Sequence, residues 1–162
     1  MIGAGAVDTE SEIRSRAYPR ARHLITLACI SMTLGIVFRI DGIGRKPFWL
    51  DETATAERVS LPSVTELVEN LYKESPYPPL YYLTLRAWSG LWGTSNLALR
   101  SFSVLLGLLA LPAIWLIWTH LIGRRAALWA LSLASLNAYH VFYSQDAKMY
   151  AAVWLAAMVT RG

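Results

Sequence analysis

Three short patches hold the side chains of this sequence that are equipped for chemistry. Asp51-Glu52 follows the aromatic run Phe48-Trp49-Leu50. Ser144-Gln145-Asp146-Ala147-Lys148-Met149-Tyr150 sets a second carboxylate beside an ammonium group. Tyr77-Pro78-Pro79-Leu80 lies between them. A carboxylate against apolar surface loses hydration, which raises its pKa and suits it to act as a base. Asp51 is therefore a candidate base, although the Asp-Glu pair also reads as the charged first turn of a helix. Asp146 and Lys148, with His140, Tyr143 and Tyr150 nearby, read either as an ordinary interfacial loop or as a second carboxylate facing the first. In the latter reading Asp146 would bind a divalent cation or a sugar hydroxyl. Arg100 opens a long apolar run and reads as a snorkelling anchor or as a partner for a lipid phosphate. His140 reads as an interfacial side chain and not as a ligand. Two consecutive prolines fix two φ angles, so residues 77–80 form a rigid corner. The sequence has no Gly-rich phosphate loop, no metal-spaced His/Cys set and no Ser-His-Asp arrangement.

The elements that must position these residues are apolar. Of 162 residues, 55% are hydrophobic and only 16% charged, less charge than a soluble domain of this size carries. The mean hydropathy is +0.37. Seven Trp and eight Tyr suit two membrane–water interfaces, where amphipathic rings concentrate. The net charge of +4 sits largely on arginines near helix ends. No basic–aromatic interleaving suggests a nucleic-acid groove, so nucleic acid is not an expected partner. Cys29 is the lone cysteine, which excludes an intrachain disulfide. It lies in an apolar run and is expected to be a buried, inert thiol.

Residues 1–22 form a polar arm, expected to be disordered, with Arg14, Arg16, Arg20 and Arg22 just before the first apolar run. By the positive-inside rule this arm is cytoplasmic. The fold class expected is an all-α integral membrane protein, a multi-spanning helical bundle. Its spans are about 23–40, 99–122 and 126–143, with another starting at 150–162. Arg39 is expected to snorkel from the end of the first span, and Pro112 is a possible kink in the second. Residues 41–77 form an external loop with two amphipathic juxtamembrane helices. One runs over 51–59. The other opens with the capping-box pattern Ser63-Val64-Thr65-Glu66 and repeats Leu61, Val64, Leu67, Val68 and Leu71 at helical spacing, to lie on the membrane surface or on other helices. Arg124-Arg125, in a very short loop, belong inside. Residues 78–93 must then be a juxtamembrane or re-entrant helix that does not cross, and Asp51, Glu52 and Asp146 share the outer face. If 78–93 did span, the acidic patches would be separated. The last residues, Val159-Thr160-Arg161-Gly162, fall within an apolar helix too short to cross. The chain is therefore expected to be the N-terminal part of a longer protein or a truncated product.

Taken in order, these pieces resemble one family. Trp49-Leu50-Asp51-Glu52 is followed by Pro78-Pro79-Leu80-Tyr81-Tyr82-Leu83, Leu91-Trp92-Gly93 and Ala98-Leu99-Arg100. Gly123-Arg124-Arg125-Ala126 and Tyr143-Ser144-Gln145-Asp146-Ala147-Lys148-Met149-Tyr150 complete the series. From about Phe48 to Met158 the chain resembles the N-terminal third of GT-C fold glycosyltransferases of the protein mannosyltransferase and aminoarabinose transferase type (family 39-like). The resemblance implies a multi-pass cell-membrane enzyme that takes a hexosyl or pentosyl unit from a polyprenyl-phosphate sugar lipid. The acceptor would be a protein, lipid or glycan on the extracytoplasmic face. It implies Asp51 as catalytic base and Glu52, Tyr77, Arg100, Asp146 and Lys148 as substrate-binding residues, with Arg100 near the donor phosphate. No cofactor is required by it; a divalent metal at Asp51 and Asp146 is an option. The corner commonly starts with His where this chain has Tyr77. The second motif commonly reads Gln-Glu-Ala-Arg where this chain has Gln145-Asp146-Ala147-Lys148, and Lys lacks the bidentate fork of Arg. The isolated chain is expected to be inactive. The alternative function is a non-catalytic membrane module or lipid-binding subunit, which a genuine stop after Gly162 would favour.

Overall fold

The computed structural model describes residues 21–74 and 78–160. The polar arm up to residue 20 and the corner residue Tyr77 lie outside them. Among the described residues every regular element is a helix. The helices are α1 (Ala21–Ile40), α2 (Leu50–Val59), α3 (Val64–Glu74), α4 (Pro79–Trp92), α5 (Asn96–Leu121), α6 (Arg124–Leu136), α7 (Ala138–Ser144) and α8 (Tyr150–Val159).

Two of them, α1 and α5, are long and apolar enough to cross a membrane. Their sequences explain their packing. On α1, Leu24, Ala28, Ser31, Gly35 and Arg39 recur every three or four residues and form one buried stripe, as the helical period requires. The other faces are equally apolar but uncovered, with Ile25, Ile30, Val37 and Ile40 all exposed. Cys29 falls on one of those faces and is exposed, not buried as its apolar setting suggested. Gly35 lets α1 close on α6, because a Cβ there would collide with the Ser135 carbonyl oxygen. Leu24, Ala28, Leu111, Leu128 and Leu131 form the core of this layer.

The stretch expected as a single span over 126–143 is two helices. Asn137 breaks it, with extended backbone (φ −61°, ψ 118°) and a side-chain oxygen that accepts from the His140 N–H at 3.0 Å. Such a break orphans the last carbonyls of α6. Arg39 satisfies two of them. Its Nη1 donates to Ser135 O at 2.8 Å and Gly35 O at 2.8 Å, and its Nη2 donates to Ala134 O at 3.4 Å and to His140 Nδ1 at 2.7 Å. Arg39 is fully buried and does not snorkel, because a guanidinium at the negative end of α6 is held by helix carbonyls instead of water. His140, read from sequence as interfacial, is buried for the same reason. Accepting at Nδ1 places its proton on Nε2.

A second core lies at the other end. Val59, Leu67, Leu71, Tyr81, Tyr82, Leu85, Leu99, Phe102 and Ala147 join α2, α3, α4 and the first turns of α5. Ser63 and Glu66 cap α3 reciprocally: the Glu66 N–H donates to Ser63 Oγ, and Ser63 Oγ donates to Glu66 Oε1 (both 3.1 Å). The apolar stripe of α3 is spent on this core through Leu67 and Leu71. Pro78 and Pro79 start α4 where a missing N–H costs nothing. Its 14 residues extend about 21 Å, short of the roughly 30 Å of a hydrocarbon core. Arg86 of α4 donates to Val59 O, Leu61 O and Pro62 O, so α4 is tied to the end of α2.

Candidate functional site

The site is built around Glu52. At the third position of α2, its Oε2 accepts from the Trp49 N–H at 3.2 Å and so caps its own helix. Arg100, in the second turn of α5, grips the same carboxylate bidentately, Nε to Oε1 at 2.9 Å and Nη2 to Oε2 at 2.5 Å. The Ala147 N–H donates to Oε1 at 2.8 Å. Glu52 therefore locks α2, α5 and the bend over residues 145–149 together. Burial raises its pKa, but the bonds from Arg100, Ala147 and Trp49 outweigh that, and the carboxyl sits below its ordinary range.

Arg100 spends all five N–H donors inside the protein. Besides Glu52 it donates to Ile43 O at 2.8 Å, Lys46 O at 2.8 Å and Pro47 O at 3.1 Å, and the Phe48 ring stacks on it with its centroid 5.5 Å from Cζ. The loop over 41–49 is thereby wrapped around one guanidinium. In this arrangement Arg100 has no donor left for a phosphate. The reason is local: the loop carbonyls and Glu52 close on it from both sides. Glu52 also lines the cleft, but its carboxylate is bonded to Arg100, Ala147 and Trp49.

Asp51 diverges from Glu52, since neighbours on a helix are about 100° apart. Its side chain is 73% exposed at a cleft of about 140 Å³ lined also by Trp49, Glu52, Phe142, Tyr143, Asp146, Lys148 and Tyr150. Asp51 and Asp146, 95 positions apart in the chain, thus open on one space. Lys148 is buried, with Nζ 3.8 Å from Asp51 Oδ1. Burial lowers its proton affinity below the ordinary lysine range, although Asp51 pulls the other way. Asp146 is half-buried and is pushed up to about 6, first by burial and then by the charge on Glu52, with Arg100 opposing. A smaller cavity of about 50 Å³ adjoins, sharing Trp49, Phe142 and Asp146. Gln145 ties the bend to the end of α1, donating from Nε2 to Phe38 O at 2.7 Å and Asp41 O at 3.1 Å.

Aromatic rings wall the cleft in an unbroken series. Trp49 meets Phe142 edge-on at 6.4 Å, Phe142 meets Tyr143 at 5.4 Å, and Tyr143 meets Tyr150 at 4.6 Å. Phe142 was not singled out in the sequence; the signal was its place directly before the Tyr143–Tyr150 motif. The described residues contain no group of three or more His, Cys, Asp or Glu side chains fit to hold a metal ion. Asp51 and Asp146 alone do not make such a site, because Glu52 is committed to Arg100 and the Lys148 ammonium already stands beside Asp51. The chain matches no family model, no curated protein and no solved structure.

Proposed function

We propose that this chain carries the catalytic cleft of a membrane glycosyltransferase, which moves a sugar from a polyprenyl-phosphate donor to an acceptor hydroxyl on the extracytoplasmic face. One observation carries the reading. Asp51 and Asp146 line a single aromatic-walled cleft, at the end of the molecule where α1 finishes and α5 begins. Two helices long and apolar enough to span a membrane are consistent with a lipid-linked donor.

In this reaction the Asp51 carboxylate takes the proton of the acceptor hydroxyl. The freed oxygen bonds to the anomeric carbon as the bond from that carbon to the phosphate oxygen breaks. The polyprenyl phosphate leaves with the electron pair, and the anomeric centre inverts. Asp146 orients the acceptor through its hydroxyls, and its proton is shed only above about pH 6. Glu52 and Arg100 hold Asp51 and Asp146 at their separation. The aromatic wall offers flat apolar faces to a sugar ring.

The test is sugar transfer from a labelled polyprenyl-phosphate donor in native membranes carrying Asp51→Asn. A general base contributes about 10²–10⁴-fold, and a loss of that size is expected. Transfer at the unsubstituted rate would remove the role given to Asp51 and, with it, the reading.

A further inference from the structure

Charge is segregated along the bundle. Among the described residues every acidic side chain lies in the loop over 41–49, in α2 or α3, or in the bend over 145–149. The helices α1, α5 and α6 carry none. α1 and α6 run side by side in one direction: Leu24 and Ala28 share a core with Leu128 and Leu131 near their starts, and Arg39 reaches Ala134 and Ser135 near their ends. α5 finishes beside the start of α6, with only Ile122 and Gly123 between them. The end of the bundle opposite the Asp51 cleft therefore presents Arg22, Arg124 and Arg125, all exposed.

Helix stability does not explain these three cations. Arg22 is in the first turn of α1, and Arg124 and Arg125 open α6, with no acidic residue in either first turn. The macrodipole puts partial positive charge there, which opposes a basic side chain. Cα–Cβ bonds tilt toward a helix N-terminus, so all three side chains set out toward that end of the bundle. Beyond them the surface turns apolar. On α6, Arg125 heads a column of Trp129, Leu133 and Leu136 at helical spacing, all exposed. On α1, Arg22 heads Ile25, Cys29 and Met32, again all exposed. The column from Arg125 to Leu136 is about 17 Å long, close to the roughly 15 Å that one leaflet contributes to a hydrocarbon core. A cation crowning an apolar column of that depth complements a negative headgroup on an acyl chain.

We propose that this end of the bundle is a binding surface for anionic phospholipid: Arg22, Arg124 and Arg125 take the headgroup phosphate, and the columns beneath Arg22 and Arg125 take the acyl chains. Arginine suits the contact, because its fork meets phosphate oxygens in pairs. The bound anion also offsets the basic charge at the two helix starts. A zwitterionic lipid carries its own cation beside the phosphate and offsets less. The surface lies at the far end from Asp51 and takes no part in sugar transfer.

The experiment is electron spin resonance of the purified full chain in phosphatidylcholine vesicles doped with spin-labelled phosphatidylglycerol or spin-labelled phosphatidylcholine. It reads the fraction of label immobilised at the protein surface. Phosphatidylglycerol is expected to be preferred about tenfold or more, since each arginine at a membrane surface is worth about fivefold. Arg124→Gln with Arg125→Gln should remove most of that preference, and Arg124→Lys with Arg125→Lys should keep most of it. Arg45→Gln removes an exposed cation from the opposite end and should leave the preference unchanged. High salt should lower the preference of the unsubstituted protein, a reading that needs no variant. Equal immobilisation of the two lipids overturns the proposal, as does a preference that survives the double glutamine variant or high salt. If Arg45→Gln lowers the preference as much as Arg125→Gln does, net charge alone governs and the assigned surface is wrong. Displacement of the labelled lipid by soluble glycerol phosphate would leave a free-phosphate site and overturn the lipid part. None of these readings uses a sugar donor, so the lipid surface and the transferase reading stand or fall separately.

Discussion

Arg100 and Arg39 are both buried, yet they are compensated in opposite ways. Arg100 meets a full negative charge, the Glu52 carboxylate, and closes a loop around itself. Arg39 meets carbonyl oxygens at the broken end of α6 and the imidazole of His140. The first is an ion pair that fixes the cleft. The second is a helix cap supplied from a neighbouring helix, where the partial charge of orphan carbonyls takes the place of a carboxylate. Burial alone therefore does not define an arginine's task; the charge of what it leaves behind does.

That difference sets the size of the expected effects. Arg100→Met strands a buried carboxylate, and about 3–5 kcal/mol of stability should be lost. Glu52→Gln combined with Arg100→Met should cost less than Arg100→Met alone, which thermal unfolding in detergent would read directly. An additive result would show that the two charges do not depend on each other. Arg39→Met strands only neutral carbonyls and should cost about 1–3 kcal/mol. If it cost more than Arg100→Met, the contrast between the two sites would be reversed. Asn137→Ala removes the cap of α7 and should cost about 1 kcal/mol, with the loss greatly reduced if the Arg39→Met background has already freed the α6 end.

The smallest effect concerns pH. Asp146 titrates at about 6 in the folded protein against an ordinary value of 3.8. Folding therefore favours its protonated form. Its contribution is fully present below about pH 4 and is lost as pH rises through about 6. Asp146→Asn should flatten this slope and raise stability at pH 7 by about 1 kcal/mol, a figure reduced for solvent screening. Glu52, held low, works in the opposite sense: its contribution is present above the ordinary glutamate range and disappears as pH falls through its lowered folded value. An unfolding series from pH 4 to 8 in which Asp146→Asn tracks the unsubstituted protein would remove the separation between the two carboxylates.

Much of the helical order was legible because it rests on local signals. The apolar lengths of α1 and α5, the Ser63–Glu66 cap and the Pro78-Pro79 start are each written within a few residues. The juxtaposition of Asp51 with Asp146 was reached from charge parity and family resemblance. What stayed hidden depended on distance in the chain. Adjacent Asp51 and Glu52 look interchangeable until Arg100 and Ala147 select one of them. Arg39 looked like a snorkelling anchor because its partners lie about a hundred positions away. Asn137 was the exception: an N-cap residue inside an apolar run marks a break, and its meaning was available locally.

The bond from the Ala147 N–H to Glu52 also fixes an order of events during synthesis. Arg100 follows Glu52 by 48 residues, and Ala147 follows it by 95. At about 5–20 residues per second, roughly 5–20 s separate the making of Glu52 from the making of its last partner. Arg100 can take the carboxylate from about halfway through that interval, but the wall bearing Asp146 and Lys148 does not yet exist. The cleft is thus among the last parts of these residues to be assembled, and a nascent chain carries Asp51 with no second carboxylate facing it until Asp146 has been made.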